Sequence, residues 1–283
     1  MIWYEESQEC EIAIFDNPVS FDTKIGELED LEDLSDDGEG VGMAESADPD
    51  KRDENKRRNL RRAKQNVYRI ARCNRWDFFV GNLSFRKEIC DRYSYDEISK
   101  KLRMFLKMYR RRKADENFKY LLVFDQHKDG AWHMHGLMSG VAPSGLADSG
   151  KRRLESGKYV DASEVEEGEK TQMVYHWTDY RLGWSSLTEI PASDSVKCST
   201  YICDQHFEKG MNAVPFGRSR FLVSRNVKRP DVETMNMSFD EAWEFQSQLT
   251  GNLVMSKYVP LASGSMQPVG VHYFQYKGIA RMS

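Results

Sequence analysis

The sequence predicts an α+β fold: a mainly antiparallel central sheet with packed helices. Three observations lead to it. Runs rich in aromatic and aliphatic residues at 76–85 and 120–125 read as strands. Between them, Ile98, Leu102, Phe105, Leu106 and Tyr109 recur at helical spacing. The turn signal Asp129-Gly130 then joins 120–125 to another strand at 131–138, and a hairpin makes its two strands antiparallel.

Taken in order, residues 1–25 hold enough apolar and aromatic side chains for a short strand pair. Residues 26–54 read as an acidic flexible linker, rich in Gly and Ser up to Asp50 and almost free of aromatics. Such a segment is either a solvated tail or a mimic of nucleic acid lying on a basic surface. Over 51–75, Leu60, Ala63, Val67, Ile70 and Ala71 form one apolar stripe on a strongly basic helix. Residues 76–85 form the aromatic strand, in which Gly81 hints at a bulge or a close backbone approach. Ser94 before Asp96-Glu97 is a plausible N-cap for a helix running to about Lys113. The hairpin follows, and Trp132 within it belongs to the core more readily than to a base-stacking platform. Residues 141–172 read as a polar insertion loop, and 180–190 as a strand. Asp194 or Ser195 can cap a helix that runs to Lys209 and stops at Gly210. A strand at 218–224, a short helix at 239–249 and a last strand at 270–276 complete the reading. The domains expected are a short N-terminal segment (1–25), the linker (26–54), one functional domain (55–230), and an extension (231–283) packed on that domain.

Charge narrows the function. The net charge of −4 conceals an asymmetry. Residues 1–50 contain 17 Asp and Glu against a single Lys, so the remaining 233 residues carry a net charge of +12. Residues 51–75 alone hold 11 Lys and Arg and two acids. A basic body of this kind suits a polyanionic partner, and phosphate contacts supply much of a nucleic-acid binder's affinity. No apolar run approaches the roughly 20 residues of a membrane span, so no membrane is expected. The first residues lack the basic start and apolar stretch of a signal peptide, and the five cysteines are scattered without a Cys-x-x-Cys pair. A reducing cytoplasm is the expected location.

The stretch that carries chemistry is Ala131-Trp132-His133-Met134-His135-Gly136. On a strand, alternate side chains leave the same face, so His133 and His135 project together while Met134 points into a core. Two adjacent imidazoles supply two-thirds of a divalent-metal site that keeps positions open for substrate.

The order of an aromatic strand, a helix, a His-x-His hairpin and a later helix containing Tyr201 resembles the HUH endonucleases. More narrowly, it resembles the rolling-circle replication initiators of small single-stranded DNA phages and plasmids. Arg61-Arg62-Ala63-Lys64-Gln65, leading to Trp76-Asp77-Phe78-Phe79-Val80, looks like that family's first helix and motif. Phe124-Asp125-Gln126-His127-Lys128-Asp129-Gly130, continuing through the histidines to Gly136, looks like its metal motif. Residues 180–187 and 224–230 resemble its later signposts, and the likeness covers roughly 55–230. It implies an HUH, RRM or ferredoxin-like architecture and metal-dependent nicking of single-stranded origin DNA in a bacterial host cell. The metal, Mn2+ or Mg2+, would polarise the scissile phosphate while a tyrosine hydroxyl attacks it, leaving a 5′-phosphotyrosine and a free 3′-OH. Tyr201 is the nucleophile this implies. Arg57, Arg58, Arg61, Arg62, Arg225 and Lys228 are candidate DNA contacts. With no Walker phosphate loop in the chain, helicase activity would come from a host or phage partner, alongside a polymerase.

The third metal ligand depends on the hairpin turn. In an antiparallel pair, opposed residues share a face. A two-residue turn at Asp129-Gly130 sets Gln126 opposite His133, whereas an odd-length turn brings Asp125 or His127 there. The family has an acid at the position of Asp125, and a carboxylate suits a hard cation, so Asp125 is chosen with His127 as the alternative. The tyrosine motif departs from the family's Tyr-x-x-Lys. Asp204 stands at the lysine position and Gln205 at that of a second tyrosine. Lys197, one helical turn before Tyr201, could supply the missing charge. This departure leaves open an HUH-type protein that recognises origin DNA without cutting it. A metal hydrolase acting on small phosphoesters is a further alternative, which the basic helix disfavours.

Overall fold

Alternating apolar residues near the two ends of the chain build one sheet, and continuous apolar runs in its middle build another. The computed structural model describes residues 1–4, 6, 8–15, 49–112, 116–191, 213–249, 252–261 and 269–278. Its elements begin with β1 (Ile2–Tyr4), β2 (Glu9–Phe15), α1 (Pro49–Arg72), β3 (Phe78–Leu83) and α2 (Tyr95–Arg112). The hairpin β4 (Lys119–Gln126) and β5 (Trp132–Ser139) follows, then β6 (Leu146–Leu154), β7 (Tyr159–Asp161), β8 (Thr171–Trp177), β9 (Ser185–Glu189) and β10 (Phe221–Val223). The last elements are β11 (Asp231–Val232), α3 (Phe239–Ser247), β12 (Asn252–Leu261) and β13 (Val269–Lys277). The fold is thus α+β with large antiparallel sheets.

Two compact units divide the chain: Met1–Glu32 with Lys228–Ser283, and Asp33–Val227. In the first, a five-stranded sheet runs β11-β1-β2-β13-β12. Cys10, Ile12, Ile14, Phe274 and Tyr276 form its core, with Ala242 of α3 packed against them. Ser238 caps α3 reciprocally with Glu241. The N-terminal strand pair is therefore present, β1 against β2. The segment Lys228–Ser283, which holds the expected extension 231–283, groups with Met1–Glu32. The reason lies in the backbone. β13 supplies the hydrogen-bonding partner that β2 would otherwise lack along one edge.

The second unit carries an eight-stranded sheet in the order β10-β4-β5-β3-β9-β8-β6-β7. Strand β4 shows why both of its faces are covered. Tyr120, Leu122 and Phe124 pack with Ile98, Leu102, Leu106 and Tyr109 of α2. Leu121 and Val123, of opposite parity, pack with Val67, Ile70 and Ala71 of α1. A strand buried on both faces reads as an unbroken apolar run, and each such side chain contributes about 1.5–3 kcal/mol. Helix α2 starts at Ser94, whose hydroxyl accepts from the Glu97 amide at 3.3 Å. It connects β3 to β4, and β5 lies between those two strands, antiparallel to both. This is a split β-α-β unit.

The remaining differences from the sequence reading have local causes. Residues 141–172 are not a loop; they form β6, β7 and the start of β8. Their strands are mostly half-exposed, so charge such as Lys151-Arg152-Arg153 masks the alternation. The strand expected at 180–190 begins only at Ser185, because Tyr180 is drawn into the core and its hydroxyl donates to the Ser84 carbonyl at 2.9 Å. The strand expected at 218–224 is shorter, Phe221–Val223. β12 carries no sequence signal, because its described side chains are exposed. The linker before Pro49 and the helix capped at Asp194 or Ser195 lie outside the described residues. Cys10, Cys73 and Cys90 are buried, and no described helix is long and apolar enough to cross a membrane.

Two outcomes follow from this packing. A Cβ on Gly136 would fall on the Leu121 carbonyl oxygen and come within 2.9 Å of Leu122 Cα, both rigid backbone. Gly136→Ala is expected to cost about 1–3 kcal/mol of unfolding free energy, and an unchanged urea midpoint would contradict that. Burial also raises Tyr95 from 10 to about 12, while its hydroxyl donates to the Ser219 carbonyl; Tyr180 is raised by burial as well. Folding therefore tightens proton binding at these phenols. The stability this brings is complete below pH 10 and is lost as pH rises through about 12. Urea midpoints should fall over that window, and less steeply in Tyr95→Phe than in wild type; identical slopes would refute the assignment.

Candidate metal centre

The site is built by the β4–β5 turn. His127 accepts from the Gly130 amide at 2.9 Å and donates its own amide to the Ala131 carbonyl, also at 2.9 Å. Lys128, Asp129 and Gly130 thus make a three-residue loop, with Gly130 at φ +86°, a conformation glycine adopts without strain. Asp129 Oδ1 accepts from the Ala131 amide at 3.1 Å, and Arg92 bonds Oδ2 at 3.0 Å. The Ala131 amide first, and Arg92 after it, hold the Asp129 carboxyl below its usual range. The odd turn length fixes the register: Asp125 pairs with His133, Gln126 with Trp132 and Val123 with His135.

Alternation does the rest. Asp125, His133 and His135 share parity with Leu121, Val123 and Leu137, so they lie on the sheet face that α1 packs against. Met134 and Trp132 point the other way, into the core under α2. The Trp132 ring packs edge-on against Tyr95, which makes it a core residue.

Asp125 is 8% exposed, His133 5% and His135 8%. His133 Nε2 lies 2.7 Å from His135 Nε2, and Asp125 Oδ2 lies 3.8 and 3.6 Å from them respectively. The other carboxylate oxygen, Oδ1, accepts from the Gln126 amide at 2.7 Å, which orients Oδ2 towards the rings. A triangle with these sides has a centre about 2.0 Å from all three atoms, within the range of metal–nitrogen and metal–oxygen bonds. Two imidazole nitrogens and a carboxylate oxygen aimed at one point make an N2O donor set, which suits a divalent metal. These residues therefore fit a metal ion and could hold one.

His127 is not brought into this set. It is exposed, and its ring stacks on His133 with centroids 3.8 Å apart and planes 9° apart. His133 and His135 are nearly perpendicular, at 83°.

The other expected site residues divide by position. Arg57, Arg58 and Arg61 are exposed on α1, and Arg62 is partly exposed, on the helix whose apolar stripe covers the sheet face of the Asp125–His133–His135 group. Arg225 is exposed just after β10. Lys228 belongs to the other unit and pairs with Glu6 at 2.9 Å. Tyr201 and Lys197, with Asp204 and Gln205, lie outside the described residues. The bulge expected at Gly81 is present, because pairing to β5 skips from Val80 to Leu83. The sequence reading passed over Tyr159, whose hydroxyl lies against Gly81. No periodic pattern marks it, since the contact joins strands far apart in the chain.

In comparisons with protein-family models, with curated proteins and with solved structures, the chain matched nothing.

Metal binding to the folded state alone should raise the thermal midpoint, by the equivalent of about 2.7 kcal/mol at a hundred times Kd. Mn2+ is expected to stabilise the wild type and His127→Ala, but not His135→Ala or Asp125→Asn, and chelator should reverse the gain. Equal stabilisation of all four by differential scanning calorimetry would exclude this triad as the site.

Proposed function

We propose that this protein nicks single-stranded DNA at a replication origin, as the resemblance to HUH endonucleases and rolling-circle initiators suggests. The observation that carries the reading is the buried Asp125–His133–His135 group, presented by one hairpin on one sheet face. The split unit β3–α2–β4–β5 is compatible with the RRM or ferredoxin-like core of that family. Arginines 57, 58, 61 and 62 on α1 supply the cationic surface that a phosphate backbone needs.

A divalent ion held by the triad, Mn2+ or Mg2+, would polarise the scissile phosphate. The Tyr201 hydroxyl then attacks phosphorus and the bond to the 3′ oxygen breaks. Tyrosine keeps the 5′ phosphate as a phosphodiester, and the departing 3′ oxygen takes up a proton to become the 3′-OH that primes synthesis. Lys197, four residues before Tyr201 in the sequence, would offset the charge that gathers on the phosphate, since Asp204 stands where the family has its lysine. Arg225 and the α1 arginines hold the flanking backbone. A separate helicase and a polymerase would extend the new end.

Asp204 and Gln205 favour a second reading, in which the fold recognises origin DNA and no longer cuts it. A covalent protein–DNA adduct separates the two. With Mn2+ and single-stranded DNA from the cognate origin, the wild type should form the adduct, while Tyr201→Phe and His135→Ala fall on the order of 10³-fold or more. Tight, chelator-insensitive binding with no adduct would instead establish the binding protein.

A further inference from the structure

Strand β3 runs beside β5 on the His135 side, and its pairing breaks at that histidine. Val80 opposes Gly136 and Leu83 opposes Met134, so Gly81 and Asn82 together face His135. Phe78 and Val80 point into the core under α2, and Phe79 points to the opposite face. Gly81 therefore shares the face of the triad. Bulges re-aim neighbouring side chains, and they are common beside active sites. Asn82 Oδ1 within this bulge is buried and has no hydrogen-bond partner among the described residues.

The bulge is roofed from a distant part of the chain. A Cβ on Gly81 would collide with the Tyr159 hydroxyl and lie 2.9 Å from Ser186 Oγ. Arg153, which pairs with Tyr159 across β6 and β7, sets its guanidinium 5.3 Å above the Phe79 ring. Its Nη1 also donates to Gln172 at 3.1 Å. Two neighbouring residues of the β6–β7 hairpin thus land on positions 79 and 81 of β3. The hairpin lies over the metal-bearing face of that strand. The Tyr159 hydroxyl is buried against Gly81 of β3, the strand that neighbours His135 of β5.

We propose that Tyr159 is a positioning residue of the metal centre: its hydroxyl, seated on glycine 81, holds the β3 bulge and through it the His135 ring in the metal-binding arrangement. The glycine is required because any side chain there would displace the phenol. Groups that orient a metal ligand without touching the ion change affinity by about 10–100-fold when removed. This inference rests on the reading of the triad as a metal centre.

The test is Co2+ titration of the full chain, read by visible absorption, with thermal midpoints measured in parallel. Tyr159→Phe should weaken Co2+ binding about tenfold and alter the absorption bands, with little change in the midpoint of the metal-free protein. Gly81→Ala should weaken it more. The double variant lacks the nearest colliding oxygen but keeps the Ser186 contact, so it should lose less affinity than the two single losses summed, a non-additivity expected of residues in contact. Wild-type affinity and spectrum in Tyr159→Phe would overturn the proposal while leaving the metal centre intact, even if Gly81→Ala failed to fold. A wild type that binds no Co2+ would remove both.

Discussion

The register between β4 and β5 is the constraint on which the candidate site depends. A side-chain period of two means that a slip of one residue transfers a whole set to the other face. With a two-residue turn, Gln126 would oppose His133 and Asp125 would point under α2 into apolar packing. The three-residue turn prevents this. It is fixed by local chemistry: a left-handed glycine at 130, the Asp129 side chain on the Ala131 amide, and Arg92 on Asp129. One positive φ therefore decides whether a carboxylate reaches the imidazoles.

Burying that carboxylate and two imidazoles works against stability unless a cation compensates them. The sheet tolerates the cost because the rest of the hairpin is buried on both sides. Tyr120, Leu122, Phe124, Met134 and Met138 face α2, while Leu121, Val123 and Leu137 face α1. Buried polar groups in a sheet otherwise packed with apolar side chains are a local departure of the kind functional sites show. The triad sits at the turn end of the hairpin, where Asp125 is the next-to-last residue of β4 and His133 the second of β5.

Helix α1 serves two purposes through its own asymmetry. Val67, Ile70 and Ala71 cover the sheet face that holds the triad, and Arg57, Arg58 and Arg61 remain on the solvent side. A cationic surface and the face that holds the Asp125–His133–His135 group are thereby coupled by one helix.

The sequence by itself determined whatever depends on near neighbours in the chain. The pairing of His133 with His135 on one face follows from strand alternation, and the Ser94 cap and apolar stripe of α2 from helical spacing. Gly81 signalled its bulge because a glycine inside an aromatic strand has few other uses. Asp125 was narrowed by turn parity, but only the actual turn length separated it from Gln126. The tertiary structure alone decided the rest. Strands β6 and β7 carry charge on half-exposed faces, so burial imprints no alternation on them. β12 is largely exposed, which removes the same signal. The seating of Tyr159 on Gly81, and the joining of the chain's two ends in one sheet, are contacts between residues far apart in the chain. Periodicity records only which face a residue turns, never which distant strand will meet it.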